Sequence, residues 1–214
     1  MARGYPGVVG ALLGLPLVGA GAYVFLAQEQ IPPTVGIPLA LFGLFLLAVG
    51  LYIQFIGAPE APSLQNEEEL LATRSPAQRS AIATAVIGIP FLGAALYLLF
   101  GTQLPYVYPT IAGAIGLYLF TTGIHTYWRN TLTTYYVTSE RIIKEYRFVS
   151  LLRNELPFEQ VRGVEERRSV FESLVGLGNV EVRSGGGADL EVNVRNIYDS
   201  SEFANTIRQQ SMNQ

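Results

Sequence analysis

The hydrophobic pattern changes character once along the chain. Up to about residue 128 the apolar residues come in long runs, and beyond it they alternate with polar ones. Gly4 to Ala27 is free of charge, Gln28-Glu29-Gln30 makes a short polar break, and Ile31 to Pro59 is again uncharged. After a polar segment at 60–80, Ala81 to Trp128 carries no formal charge. That run is too long for one span, and Gly101-Thr102-Gln103 with Pro105 and Pro109 divides it. A bilayer core takes ~20 apolar residues in a helix. The pattern therefore predicts four transmembrane helices, at about 7–27, 34–56, 81–101 and 107–127. One arginine precedes the first run, which leads straight into a second, so the first span is expected to be retained rather than cleaved.

From Thr131 the period becomes two. Thr131–Thr138 is rich in Thr, Tyr and Val, and Arg141–Ser150 sets Ile142, Tyr146 and Phe148 against Glu145 and Arg147. Val180 and Val182 alternate with Glu181 and Arg183, and Leu190, Val192 and Val194 with Glu191, Asn193 and Arg195. Ser184 to Asp189, with three successive glycines, reads as the turn joining these last two strands. Asp199-Ser200-Ser201-Glu202 resembles a capping box, and Phe203 with Ile207 gives the apolar face of a closing helix to about 210. The division is thus a four-span domain over 1–128 and a small β-rich domain over 129–214, expected to fold without the membrane.

The first two spans repeat as the second two. Gly14 to Ala20 matches Gly88 to Ala94, and Tyr23 matches Tyr97. Gly43 to Leu47 matches Gly116 to Phe120, and Gly50-Leu51 matches Gly123-Ile124. Each unit is a helical hairpin, so two copies insert in the same orientation. Gly14 and Gly88, each two residues before a proline, predict bends. Gly19 and Gly93 are expected to let helices approach closely. A transport site needs polar or ionisable groups inside the membrane. The spans offer only Thr121, Thr122, His125 and Thr126, so a packed helical bundle is the favoured reading. His125 reads as an interfacial residue beside Tyr127 and Trp128.

Charge sets the orientation. Residues 1–128 hold three of the fourteen basic residues, Arg3, Arg74 and Arg79. The connections at 28–33 and 102–108 hold none, and Arg129 opens the soluble half. The positive-inside rule then places both termini and the middle loop in the cytoplasm of a multi-pass cell-membrane protein. In that loop, Ser63 to Leu71 is expected to form a short amphipathic surface helix with Glu67, Glu68 and Glu69 on a solvated face. Ser75-Pro76 reads as N-cap and first residue of the third span.

Composition mostly excludes. A net charge of −3 gives no case for nucleic acid, and the absence of cysteine removes thiolate and disulfide chemistry. No Ser/His pair, metal-ligand cluster or phosphate loop is legible, so no cofactor and no enzymatic activity are expected. Glu165 and Glu166 are adjacent and face opposite sides of a strand, which rules out paired-carboxylate work. Gly176-Leu177-Gly178 precedes a strand rather than a helix and reads as a tight turn.

Three ordered stretches carry a family resemblance. They are Tyr136-Val137-Thr138-Ser139-Glu140-Arg141-Ile142-Ile143, Glu155-Leu156-Pro157-Phe158-Glu159-Gln160-Val161, and Leu174 to Val182 with Gly176-Leu177-Gly178. Over about 129–210 the chain resembles the prokaryotic pleckstrin-homology-like family of small membrane proteins. The resemblance implies a seven-stranded, sharply bent β-barrel or sandwich closed by a C-terminal helix, with strands near 153–157 and 161–168 that periodicity alone does not give. Eukaryotic domains of this fold often bind phosphoinositides through a basic first hairpin. The candidates for lipid or partner contact are Arg141, Lys144 and Arg147, with a second run at Arg162, Arg167 and Arg168. Residues 129–214 nonetheless hold eleven basic and twelve acidic side chains, which leaves little net field. The expected function is a membrane-anchored scaffold that pairs with itself or another membrane protein. A transport component with a regulatory domain and an anionic-lipid sensor are the alternatives.

Overall fold

The computed structural model describes residues 5–27, 32–55, 62–64, 68–148, 150–185 and 191–212. The expected break at Gln28-Glu29-Gln30 and most of the glycine-rich turn after Gly185 lie outside them. The chain forms two compact units, Met1–Glu60 with Arg147–Ser150, and Ala61–Tyr146 with Leu151–Gln214.

Four helices are long and apolar enough to cross a membrane. In the first unit they are α1 (Pro6–Leu26) and α2 (Gly36–Phe55). Their contact line is made of glycine. A Cβ on Gly14 would stand 2.5 Å from the Gly43 carbonyl oxygen, and one on Gly43 would stand 2.6 Å from that of Gly14. Gly10 and Gly50 repeat the relation one level along, each placing an added Cβ 2.8 Å from the other's Cα. Bare backbone surfaces pack closely where lipid supplies no hydrophobic drive between helices. Most large side chains of these helices point away from the seam, Leu12 being 71% and Phe55 78% exposed. Such continuous apolar surface suits hydrocarbon and not water. In the same unit the Tyr52 hydroxyl donates to the Phe148 carbonyl at 2.7 Å, and the two rings meet edge to face.

The second unit holds the other two helices, α3 (Arg79–Gly101) and α4 (Val107–Thr131). The repeat read in the sequence is a repeat of contacts. Gly88 and Gly116 occupy the seam here as Gly14 and Gly43 do in the first hairpin: a Cβ on Gly88 would lie 2.8 Å from the Gly116 carbonyl oxygen. Gly123, the counterpart of Gly50, lies against the Ala85 backbone. Gly14 and Gly88 serve this close approach, and α1 and α3 continue as helices through Pro16 and Pro90. One expectation about glycine is corrected. Gly19 and Gly93 have nothing within 4 Å of an added Cβ, so they are not the packing residues.

Seven strands follow a 4 + 3 arrangement in two antiparallel sheets, with no closed barrel among the described residues. The first sheet has the order β1-β2-β3-β4, with β1 at Leu70–Arg74, β2 at Thr133–Thr138, β3 at Arg141–Arg147 and β4 at Leu151–Pro157. The second has the order β5-β6-β7, with β5 at Val161–Arg167, β6 at Leu177–Ser184 and β7 at Val192–Tyr198. A short helix α5 (Val170–Leu174) joins β5 to β6, and α6 (Ser200–Met212) closes the domain. The core lies between the sheets and α6: Val137, Ile142, Leu156, Val180, Val194, Phe203 and Ile207 meet there.

The main surprise is β1. The middle loop does not supply a surface helix at its C-terminal end; residues 70–74 form a strand paired antiparallel with β2, Thr73 opposite Tyr136 and Arg74 opposite Tyr135. The pair β1 and β2 flanks α3 and α4, so the second helical hairpin is an insertion between two neighbouring strands of one sheet. Residues 129–214 therefore lack one strand of the domain. The two ends of the insertion are tied together. Asn130 donates from its side-chain amide to the Ala77 carbonyl at 3.1 Å, and Gln78 donates to the Thr131 hydroxyl at 2.9 Å. Ser75-Pro76 consequently leads out of β1, and α3 starts at Arg79 after Gln78, with no side-chain cap. The capping box sits elsewhere, at Ser169 and Glu172 on α5. Asp199 has φ of 53°, not the extended backbone of a capping residue. Gly176 does make the expected tight turn, with φ of 70°.

Candidate functional site

The six sequence-derived basic candidates do not converge on one surface. Arg141 opens β3 and is already occupied. Its Nε and Nη2 donate to the two carboxylate oxygens of Glu68 at 2.9 and 2.8 Å, and Nη1 donates to Glu155 at 2.6 Å. The Glu68 side chain has no exposed surface, so the expected solvated face is corrected at that residue. The Glu68 hydrogen bond, with the charges of both glutamates, raises the Arg141 pKa further despite partial burial. Nearby, Arg153 reaches Glu145, whose side chain is also buried, at 3.5 Å.

In the second run Arg168 pairs with Glu166 at 2.7 Å and donates to the Ser200 and Ser201 hydroxyls. Burial works against ionisation of Glu166, but hydrogen bonds from Ser200, Arg168 and Ser201 hold its pKa below the usual range. Glu165 turns the other way, to Arg183 at 3.0 Å, as opposite faces of β5 require. Arg162 is exposed on β5 with its stem beside Gly185, and Arg147 ends β3.

Basic groups also gather in two further places. One is a polar cleft of about 740 Å³ over the outer face of β5-β6-β7. Arg167, Asn179, Glu181, Asn193 and Arg195 line it, together with Arg168 and Glu172 at its edge. Glu172 is committed there: it accepts from the Ser169 N–H at 2.7 Å and from Asn179 at 2.8 Å. Those bonds, the Ser169 N–H foremost, lower its pKa against the effect of burial. The other place surrounds Tyr135, where Lys144 of β3 stands opposite in register and the Arg195 N–H donates to the tyrosine oxygen at 3.3 Å. The sequence carried a signal for Asn193 and Arg195, which alternate with Val192 and Val194, but not for which face would be open. Among the described residues no group of three or more His, Asp or Glu is placed to hold a metal ion.

A bacterial PH domain model matches residues 82–211, more than half of the chain, a stretch that holds β2 to β7 and the closing helix but not β1. The chain belongs to the bacterial PH domain family. The match begins inside α3, so it takes in the inserted hairpin as well as the β-rich part that the sequence motifs marked. No curated protein and no solved structure matches the chain. The PH domain here is thus one built around a membrane-type hairpin, with β1 on one side of the insertion and the remaining strands on the other.

Proposed function

We propose that this protein is a non-enzymatic, membrane-anchored interaction module whose PH domain contacts protein, either a second copy or another membrane protein. The observation that carries this reading is the insertion of α3 and α4 between β1 and β2. A domain held to its hairpin by two adjacent strands has no need of lipid affinity to stay at a membrane. The residues first suited to headgroup capture support the same reading, since Arg141 and Arg168 are neutralised by carboxylates of their own chain. Edge strands β1 and β4 and the exposed Leu151 and Leu152 at the start of β4 offer backbone and apolar surface to a partner. Orientation belongs to the same proposal: the PH domain and both chain termini lie in the cytoplasm. A transport role finds less support, because the threonines and histidine of α4 stand off the glycine seam, with Thr121, Thr122 and His125 exposed.

Cross-linking of the full protein in its own membrane tests the reading. Discrete cross-linked protein species are expected. Absence of any such species, together with strong and salt-sensitive binding of the protein's PH domain to anionic vesicles, would replace it with the lipid-sensor reading.

A further inference from the structure

A chain of three hydrogen bonds ties α5 to the foot of α3. Asn179 on β6 donates from its side-chain amide to Glu172 of α5 at 2.8 Å. The Asn179 side-chain oxygen accepts from the Asn196 N–H of β7 at 2.9 Å. The Asn196 carbonyl in turn accepts from the N–H of Ala77, just ahead of α3, at 2.6 Å. Further contacts mark the same end of the domain. Arg79, the first residue of α3, sets its guanidinium over the Tyr198 ring, 5.6 Å from the centroid, and Tyr198 stands opposite Leu177, the first residue of β6. Arg74, the last residue of β1, pairs with Glu202 in the first turn of α6 at 3.1 Å. The α5 corner and the point where the chain enters the second hairpin are thus neighbours.

The corner is apolar. Val170 and Leu174 are 77% and 80% exposed, and Val175, just past the helix, is 41% exposed. Aliphatic side chains turned to water add nothing to the stability of a five-residue helix. Glu172, the one acidic residue of α5, is turned back to the Ser169 N–H and to Asn179. Arg167, just before the helix, and Arg79, at the start of α3, are exposed. We propose that Val170, Leu174 and Val175 insert into the interfacial layer of the bilayer that α3 and α4 cross. Placement favours lipid over a protein partner. The bonds above hold the corner beside the first turn of a helix long and apolar enough to span a membrane, where hydrocarbon gives way to headgroups. An arginine at that level lays its stem along apolar surface and keeps its charge among the headgroups. The inference rests on the membrane-anchored part of the proposed function and not on which protein the domain contacts. The hairpin already keeps the domain at the membrane, and the inserted corner sets its tilt.

The chain has no cysteine, so one introduced cysteine takes one label. Ser173→Cys puts a nitroxide on an exposed position of α5 and leaves all three apolar side chains in place. Leu96→Cys labels an exposed position within α3. Glu191→Cys labels an exposed position just ahead of β7, at the end of that strand away from Tyr198. The full-length proteins are reconstituted in vesicles of phosphatidylcholine and phosphatidylglycerol. Collision of each nitroxide with oxygen, which concentrates in lipid, is compared with collision with a water-soluble nickel chelate. The labels at 173 and 96 are expected to favour oxygen, and the label at 191 nickel, at low and high salt alike. Val170→Ser with Leu174→Ser removes only exposed apolar side chains, so the domain should keep its melt while the label at 173 turns to nickel. If that double variant fails to fold, the depth of the 173 label in the otherwise unchanged chain decides alone. A label at 173 that meets nickel as freely as the one at 191, while the label at 96 stays in lipid, overturns the insertion and leaves the spans standing. A label at 173 shielded from both reagents shows a protein contact and overturns it too. A label at 96 in water removes the membrane reading and the insertion with it.

Discussion

Arg141 and Glu68 are 73 positions apart and meet in a two-pronged ion pair, Nε at 2.9 Å from one carboxylate oxygen and Nη2 at 2.8 Å from the other. The whole second hairpin of long apolar helices lies between them in sequence. The pair fastens the segment leading into β1 onto β3, next to the backbone bond that Ser139 donates to the Glu69 carbonyl at 2.9 Å.

Arg141→Ala leaves the buried Glu68 carboxylate without its guanidinium. Breaking a buried pair from one side costs about 3 kcal/mol or more. The expected outcome is a markedly lower melting temperature of the PH domain in the full protein, with the α-helical signal of the membrane part retained. Glu68→Gln with Arg141 intact should cost less, since Arg141 keeps Glu155. Circular dichroism during a thermal ramp checks both.

The soluble part should fold only when it includes β1. A chain of residues 129–214 lacks the strand that pairs with β2 and is expected to melt without cooperativity. Residues 62–77 joined by a short Gly/Ser linker to 130–212 replace the hairpin at a point where Ala77 and Asn130 already touch, and should give one cooperative transition. A cooperative melt of 129–214 alone would show that β1 is dispensable.

The glycine seams predict a contrast between near neighbours. Gly43→Val places atoms against the Gly14 carbonyl and should destabilise the first hairpin, by roughly 1–3 kcal/mol for overpacking of this kind. Gly19→Val, a few residues from Gly14 but with open space around it, should be tolerated. Unfolding of the two variants in detergent separates them.

How far the sequence foretold all this follows from the range of each signal. The four long apolar helices were legible to within a few residues, because a run of uncharged residues is a local property; α1 begins at Pro6 and α3 ends at Gly101. The repeat was legible too, and Gly14, Gly43, Gly88 and Gly116 proved to be its contact residues. Leu70 to Arg74 was not legible as a strand. It is only five residues long, has no clean alternation, and owes its state to β2, more than fifty residues further on. For the same reason Glu68 read as solvated: its partner Arg141 is brought to it only by that pairing. The basic candidates were chosen by residue type and neighbourhood in sequence, which cannot tell Arg141, held by two glutamates, from Lys144, held by none among the described residues.

Acid should loosen the α5 corner first. Glu172 has its pKa lowered by the Ser169 N–H and by Asn179, against burial. A carboxylate whose folded pKa is depressed contributes stability above its unfolded value, about 4.3, and loses it as pH falls through the lower folded value. Stability should therefore drop with decreasing pH below that range, and Glu172→Gln should flatten this part of the acid limb while lowering stability at neutral pH. Denaturant midpoints measured across that window check the sign.

The proposed orientation can be checked at the inserted hairpin. Both ends of α3–α4 are anchored in one sheet, and Arg74, Arg79 and Arg129 flank those ends. Reporter fusions after residue 76 and after residue 214 should give the same, cytoplasmic, signal, and one after residue 103 the opposite. Matching signals at 76 and 103 would contradict a membrane-crossing hairpin.

The central claim is that the PH domain holds a protein partner at the membrane. The most direct measurement is the mass of the particle that leaves the native membrane in mild detergent, corrected for bound detergent. One chain weighs 23.4 kDa. The account predicts a protein mass well above that, from further copies or from another protein co-purifying in fixed ratio. A particle holding one chain and no other protein, in every mild detergent that keeps the PH domain folded, would contradict it.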